Sequence, residues 1–261
     1  MRKVVLFYML MLTLSCASDD IGLASNPIDS NIVIEVGEEL EHDSRRITLF
    51  CKTEKIYPCY NFGILTDTRT YDDAQEITFT KVDQQRVCLT ALGPAKATVE
   101  LGDLPNGEYS IALNNANLKN KGTLRVTDSE IVLQFGRTKG IQFVRSATKR
   151  VPPNTYWGMI RYGTASTSQQ AELFIQRFAD IGAEFHPQEP GHYYHYEIDD
   201  SGNLVADPLR YGSSVKTFIF QYDGDESKLK DLIQSEGASQ HGSISIRVET
   251  YKGEVFRNWG N

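Results

Sequence analysis

The chain has 261 residues and 40% hydrophobic content, which is enough for one or two packed cores. Its formal net charge is −7, and this argues against nucleic acid as a partner, since such proteins need a basic surface. The same excess of acidic residues argues against a polybasic segment that would hold the chain on lipid headgroups.

The N-terminal residues have the layout of a secretory signal. Arg2 and Lys3 are followed by an apolar run of 11 residues, Val4–Leu14, and then by the small Ser15 and by Cys16. A membrane-spanning helix needs about 20 apolar residues, so the run predicts an export signal and not a transmembrane anchor. One interpretation of this layout is an ordinary secretion signal in which Cys16 has no special role.

Cys16 directly after a small residue resembles the lipobox of bacterial lipoproteins, although Thr13 occupies the place where that motif usually has leucine. The acidic stretch 17–20 resembles the export signal of surface lipoproteins in the Bacteroidetes group, with a solvated polar linker as the alternative. The resemblance implies that a signal peptide of residues 1–15 is removed, that Cys16 is acylated and that residues 16–30 form a flexible tether. It also implies a lipid-anchored protein of the outer membrane, exposed on the cell surface if the acidic signal operates.

Three further cysteines follow, and an oxidising compartment predicts one disulfide among them. We predict Cys59–Cys88, because Cys59 follows Pro58 at the start of an apolar stretch and Cys88 lies in a strand-like run. Cys51 would then be a small buried hydrophobic residue on a strand, although spacing alone leaves a Cys51–Cys88 bridge open. No C-x₂-C pattern is present, so a cysteine metal site is not expected.

Residues 31–143 contain short runs rich in β-branched residues, separated by turn residues at fairly regular intervals. This pattern predicts an antiparallel β-sandwich of the immunoglobulin-like type. A turn at 105–107 followed by Tyr109 at a strand start resembles the tyrosine corner of such sandwiches, which implies that the phenol bonds back to the backbone. A tight hairpin with a tyrosine beside it is the alternative.

The pattern changes after this region. Residues 144–154 lack apolar periodicity and include Pro152 and Pro153, so we predict a linker between domains. Residues 155–261 alternate strand and helix patterns in the order βαββαβ, which predicts a ferredoxin-like α+β domain. An irregular α+β layer is the alternative, because 203–211 could add a strand.

The first predicted helix of this second domain has the clearest pattern. Ala171, Phe174, Ile175 and Phe178 recur at i, i+3, i+4 and i+7, which predicts one apolar face. Gly182 is placed to end the helix.

Motifs of common reaction classes are absent: the chain has no G-x-S-x-G, no Walker A loop, no H-E-x-x-H and no G-x-G-x-x-G. Three of the five histidines fall within ten residues, and His186, His192 and Glu189 could hold a zinc or copper ion. In a strand over 192–198, however, His192 and His195 would face opposite sides. We therefore expect neither a metal nor another cofactor.

The same segment favours a binding surface. In a ferredoxin-like domain the helices cover one face of the sheet, and the open face could present an aromatic platform. The residues predicted for this platform are His192, Tyr194, Tyr196, Phe218, Phe220 and Tyr222. Such a surface suits a glycan, a peptide or another envelope protein, so we expect a non-enzymatic binding module without catalytic residues.

Three alternatives stay open at this point. The aromatic residues could pack against the sandwich instead of facing solvent. The chain could be an envelope hydrolase that uses His and Glu side chains of 186–197 as acid and base. It could also be a scaffold that only spaces other envelope proteins.

Overall fold

The fold predicted from the sequence, an immunoglobulin-like sandwich followed by a ferredoxin-like βαββαβ domain, is wrong. The computed structural model contains one ten-stranded mixed sheet, one four-stranded sheet and a two-stranded hairpin, with two helices among the described residues. The residues that the structure describes are 28–71, 74–84, 87–206, 214–238 and 244–259.

The first sheet is built from the N-terminal strands. Strands β1 to β10 run over Ile32–Leu40, Arg45–Tyr57, Gly63–Tyr71, Ala74–Asp83, Gly93–Gly102, Gly107–Asn115, Lys121–Val126, Glu130–Phe135, Ile141–Arg145 and Ala147–Lys149. Their order across the sheet is β10-β8-β7-β6-β4-β3-β5-β2-β1-β9. Most pairs are antiparallel, but three are parallel, which the sequence pattern does not reveal: β1 with β9, β4 with β6, and β3 with β5.

Two features of the pairing overturn the sandwich prediction. Strand β3 pairs along its length with β4 and also touches β5 through Gly63 and Lys96, so that one continuous sheet forms where a sandwich would have two. The edge strands β9 and β10 are consecutive in the chain and separated by Ser146 alone. Because one residue spans them, the sheet must curl until its two edges nearly meet.

The curled sheet encloses a single hydrophobic core. Alternate residues of strands such as β1, β4 and β8 point inward, and Ile34, Leu49, Ile77 and Leu113 have no exposed surface at all. Cys51 lies in this core as a free thiol, as predicted, and its burial raises the pKa of the thiol. It therefore acts as a small apolar residue.

Local predictions within this sheet are confirmed even though the fold is different. The predicted disulfide joins Cys59 and Cys88, whose Cα atoms are 5.2 Å apart. The Tyr109 hydroxyl donates to the carbonyl oxygen of Pro105 at 2.7 Å, so the phenol does bond back to the backbone. Both features depend on residues close in sequence or on one covalent link, which explains why they could be predicted without the topology.

The second sheet carries the helices. It contains β11 (Thr155–Tyr162), β14 (Val215–Gln221), β15 (Ile244–Thr250) and β16 (Val255–Arg257) in the order β14-β11-β15-β16, and helices α1 (Ala165–Asp180) and α2 (Glu226–Ala238) lie on one of its faces. Strand β11 pairs antiparallel with both of its neighbours. The segment predicted as the second strand stays out of this sheet and forms the separate hairpin β12 (Gly191–His192) and β13 (Glu197–Ile198), so the ferredoxin-like arrangement is not made.

Helix α1 follows its sequence pattern closely. Ala171, Phe174 and Phe178 are buried against the sheet, and Gly182 takes a left-handed φ of 98° just after the helix. Thr164 caps the N-terminus and exchanges hydrogen bonds with Thr167. The helix thus begins at Ala165, directly after its cap.

The segment predicted as a linker, 144–154, is part of the packed structure. It contains β10, which pairs with β8, and Thr148 and Val151 are both buried at 2% exposure. Val151 packs with Leu40 of β1 and Trp157 of β11 in a third apolar cluster between the two sheets. The two halves of the chain therefore share a buried junction.

Replacing both Cys59 and Cys88 with serine is expected to destabilise the protein. The bridge closes a loop with a sequence separation of 29, which corresponds to about 3–4 kcal/mol in the chain-entropy treatment. The measurement is the free energy of unfolding in urea, with the wild type in reductant as the control. Reductant should lower the stability of the wild type and leave the double variant unchanged; a wild type that is insensitive to complete reduction would contradict the expectation.

Candidate binding cleft between the two sheets

The β12–β13 hairpin lies between the two sheets, and its two strands are joined by the four-residue turn 193–196. The Tyr193 amide donates to the Tyr196 carbonyl at 2.9 Å, and Tyr194 takes a left-handed φ of 60°. The rings of Tyr193 and Tyr196 stack with centroids 4.8 Å apart. The continuous strand predicted over 192–198 is therefore wrong, and its alternation of faces does not hold. The turn lacks glycine, proline and asparagine, so no ordinary turn signal marks it.

One side of this turn packs on β1. The Tyr194 ring covers Gly37 so closely that a Cβ atom on that glycine would lie 2.2 Å from the ring. The Tyr194 hydroxyl donates to Oε1 of Glu39 at 3.3 Å, and Nε2 of His195 donates to the Glu38 carbonyl at 2.7 Å. The other side of the turn meets the second sheet, where the Tyr196 and Trp157 rings are 4.8 Å apart. The hairpin thus connects both sheets.

A buried ion pair lies at the same junction. Glu38 is 2% exposed, and its Oε1 accepts from Nε of Arg150 at 2.8 Å. Arg45 places Nη1 3.5 Å from Oε2 and also donates to the Val151 carbonyl at 2.7 Å. Buried carboxylates are rare unless they are paired in this way. The arrangement joins β1 and β2 to the segment that leads into the second sheet.

Glu35 forms a second polar contact with the hairpin. Its Oε1 lies 3.1 Å from Nε2 of His192 and accepts from Nη1 of Arg145, also at 3.1 Å. The His192 ring is the main reason that the pKa of Glu35 is below its usual value; partial burial opposes the shift and Arg145 adds to it. The carboxylate is therefore held in its ionised form.

Beside the hairpin, the two sheets enclose a cleft of about 440 Å³. Trp157, Met159, Thr217 and Glu249 of the second sheet form its floor. The walls and rim come from the first sheet, the hairpin and the segment after it, namely Arg145, His192, Tyr194, His195, Tyr196, Glu197, Leu204, Val205 and Ala206. The cleft combines aromatic side chains with groups of both charge signs.

The six residues of the predicted platform are divided between two places. His192, Tyr194 and Tyr196 line the cleft. Phe218, Phe220 and Tyr222 belong to the core under helices α1 and α2, at 4%, 1% and 3% exposure. The structure thus brings three of the six together and leaves the others on the opposite side of the sheet.

Sequence reasoning missed Trp157, Met159, Arg145 and Glu249. Alternation along β11 separates Trp157 and Met159 from Tyr156 and Ile160, which face the helices. That alternation could have shown that Trp157 and Met159 lie on a second buried face of the strand. Arg145 and Glu249 lie far apart in sequence and carried no local signal.

Of the His and Glu side chains of 186–197, His192, His195 and Glu197 line the cleft, and His192 pairs with Glu197 across the hairpin, whereas His186 and Glu189 do not line it. His186 places Nε2 3.0 Å from the Glu184 carboxylate in an exposed position, and Glu189 pairs with Lys149. His195 is bonded to a backbone carbonyl. Within the described ranges, no group of three His, Cys, Asp or Glu side chains could hold a metal ion.

Comparisons with known proteins supply no family for this chain. No protein-family model, curated protein or solved structure matches it. In the part of the chain that the structure describes, no helix is long and apolar enough to cross a bilayer. Cys16, the predicted signal peptide and most of the predicted tether lie outside the described residues.

Gly37→Ala is expected to destabilise the junction, because the new methyl group would overlap the Tyr194 ring. Forced overpacking of this kind typically costs about 1–3 kcal/mol. The control is Gly136→Ala, where a Cβ atom meets nothing within 4 Å. Urea unfolding of both variants measures the difference, and equal midpoints would show that the ring does not rest on Gly37.

Glu35→Gln is expected to change the pH dependence of stability. Because the pKa of Glu35 is lowered in the folded state, its contribution is fully present above its usual value of 4.5 and is lost as the pH falls through the folded pKa. The free energy of unfolding of the two proteins should therefore differ most near neutral pH and converge in acid. Glu108→Gln, at an exposed position on β6, is the control. A constant difference at every pH would contradict the ionic contact.

Proposed function

We propose that this protein is an exported, lipid-anchored envelope protein that binds a small saccharide in the cleft between its two sheets and catalyses no reaction. The anchor is the acylated Cys16 that the lipobox-like sequence implies, and the location is the outer membrane. The disulfide supports an oxidising compartment, since such bridges persist there.

The observation that carries the binding proposal is the composition of the cleft. A volume of about 440 Å³ lies in the range of small-molecule sites. Trp157 and Tyr196 are 4% and 7% exposed, so the aromatic surface that suits the apolar face of a sugar ring comes mainly from the half-buried Tyr194 and His195. Arg145, Glu197 and Glu249 offer charged groups that can hydrogen-bond to hydroxyls.

The absence of catalysis is supported by the partners of the acid and base candidates. A general acid and base must both reach one reacting atom. Here Glu35 engages His192 and Arg145, and His195 is bonded to the backbone of β1. These contacts stabilise the junction and engage the Nε2 atoms of His192 and His195 with groups of β1.

Val205→Arg is expected to weaken saccharide binding about tenfold or more, because a long charged side chain at the rim would occupy the cleft. Val205 is 45% exposed, so the fold should tolerate the change. The matched control is Val255→Arg on β16, which is 38% exposed and does not line the cleft. Oligosaccharides are first screened by tryptophan fluorescence, and the affinity of each ligand found is then measured by calorimetry.

Two results would reject the proposal. A saccharide that binds both arginine variants equally would place the site elsewhere. Short peptides that bind in the cleft while saccharides do not would reject the ligand class.

A further inference from the structure

We propose that one end of the ten-stranded sheet is a membrane-contacting surface that rests on anionic lipid headgroups. This inference depends on the lipid anchor proposed above and adds the orientation in which the protein stands on the bilayer. We call this surface the tether end, and it consists of residues 28–31, 54–62, 87–93, 115–121 and 136–140.

The chain enters the described structure at this end. Ile28 is buried, and its amide donates to Oδ1 of Asn115 at 2.8 Å. Ser30 accepts from the Lys55 amide at 2.9 Å and so fixes the first residues beside the end of β2. Cys16 precedes Ile28 by twelve residues, which span at most about 40 Å. A lipid on Cys16 therefore keeps the tether end near the bilayer.

The tether end exposes apolar side chains that are held close together. Val87 and Leu92 are 73% and 77% exposed, and Ile56, Tyr60 and Leu89 are each at least half exposed. Single exposed apolar residues are ordinary, but a contiguous group indicates a surface that meets an apolar partner.

This apolar group has a fixed shape. The Cys59–Cys88 disulfide ties its two loops together, and the Tyr60 amide donates to the Leu89 carbonyl at 3.2 Å. Asn61 donates to the Val87 carbonyl at 2.7 Å. The loops are thus preorganised and lose little conformational freedom when they meet a surface.

The charge of the tether end is opposite to that of the whole chain. The chain carries −7, whereas this end has five basic residues against two acidic ones. The basic residues are Lys55, Lys119, Lys121, Arg137 and Lys139. Among the salt bridges of the described residues, only Lys55 of these five takes part, with Asp29. Basic groups at the same end as an apolar group match the negative potential of anionic headgroups.

The opposite end of the sheet holds the second sheet and the cleft. Leu40, at the far end of β1 from Ile32, packs with Trp157 and Val151. With the tether end on the bilayer, that junction stands about 25 Å away along β1. The cleft would then face the aqueous phase, where a soluble saccharide can reach it.

The test uses the full acylated protein in vesicles of phosphatidylethanolamine and phosphatidylglycerol, with an environment-sensitive fluorophore on a single introduced cysteine. Leu92→Cys places the probe at the tether end. Leu173→Cys on helix α1 is the matched control, because Leu173 is 56% exposed. Cys16 carries the lipid, Cys51 is buried, and Cys59 and Cys88 are bridged, so labelling is confined to the introduced thiol. Flotation of the vesicles, with the Cys16→Ser protein as the negative control, reports whether the protein is anchored.

We expect protein that floats with the vesicles to show blue-shifted emission and quenching by brominated lipid several times stronger at position 92 than at position 173. Protein that floats while both probes behave as in water, or while both are quenched equally, would overturn the membrane-contacting surface and leave the anchor standing. Protein that fails to float would overturn the anchor and, with it, this inference.

Discussion

The contact between Gly37 and the Tyr194 ring fixes the hairpin on the first sheet beside the cleft. The ring can lie on β1 only because position 37 has no side chain, and it reaches that position only because Tyr194 adopts a left-handed backbone conformation. Such a conformation costs about 1–2 kcal/mol in a residue other than glycine. Nearby contacts offset this cost, including the His195 bond to the Glu38 carbonyl and the stacked Tyr193 and Tyr196 rings.

The cleft is a consequence of that contact. Two sheets that met directly would exclude solvent from their common face, but the intervening hairpin separates them on one side and leaves space above Trp157 and Met159. The polar groups at the junction are already engaged with one another. Glu35 pairs with His192, and Glu38 pairs with Arg150. Under the proposed function, a ligand in the cleft would meet the half-buried Tyr194 and His195 and the charged side chains of the rim.

Sequence patterns predicted the features that depend on neighbouring residues. The strand character of 31–143, the apolar stripe of α1 and the Tyr109 bond to Pro105 all arise from periodicity or short separations. The topology arises from pairings distant in sequence, such as Gly63 beside Lys96, and no local pattern encodes them. The aromatic turn at 193–196 departs furthest from its sequence pattern, because its residues are typical of strands and its conformation is imposed by packing between two sheets.

The single residue between β9 and β10 has a consequence for the backbone groups at the borders of the sheets. A strand at the border of a sheet presents unpaired backbone groups that can recruit strands from other chains. In the first sheet the two borders face each other across Ser146, and in the second the border strand β16 is only three residues long. The backbone of Glu184 pairs with that of Gln221 at the end of β14, the other border strand of the second sheet. This pairing reduces the number of unpaired backbone groups on that border. In the part of the chain described here, a protein made mainly of strands thus offers its neighbours little template for intermolecular β-pairing and aggregation.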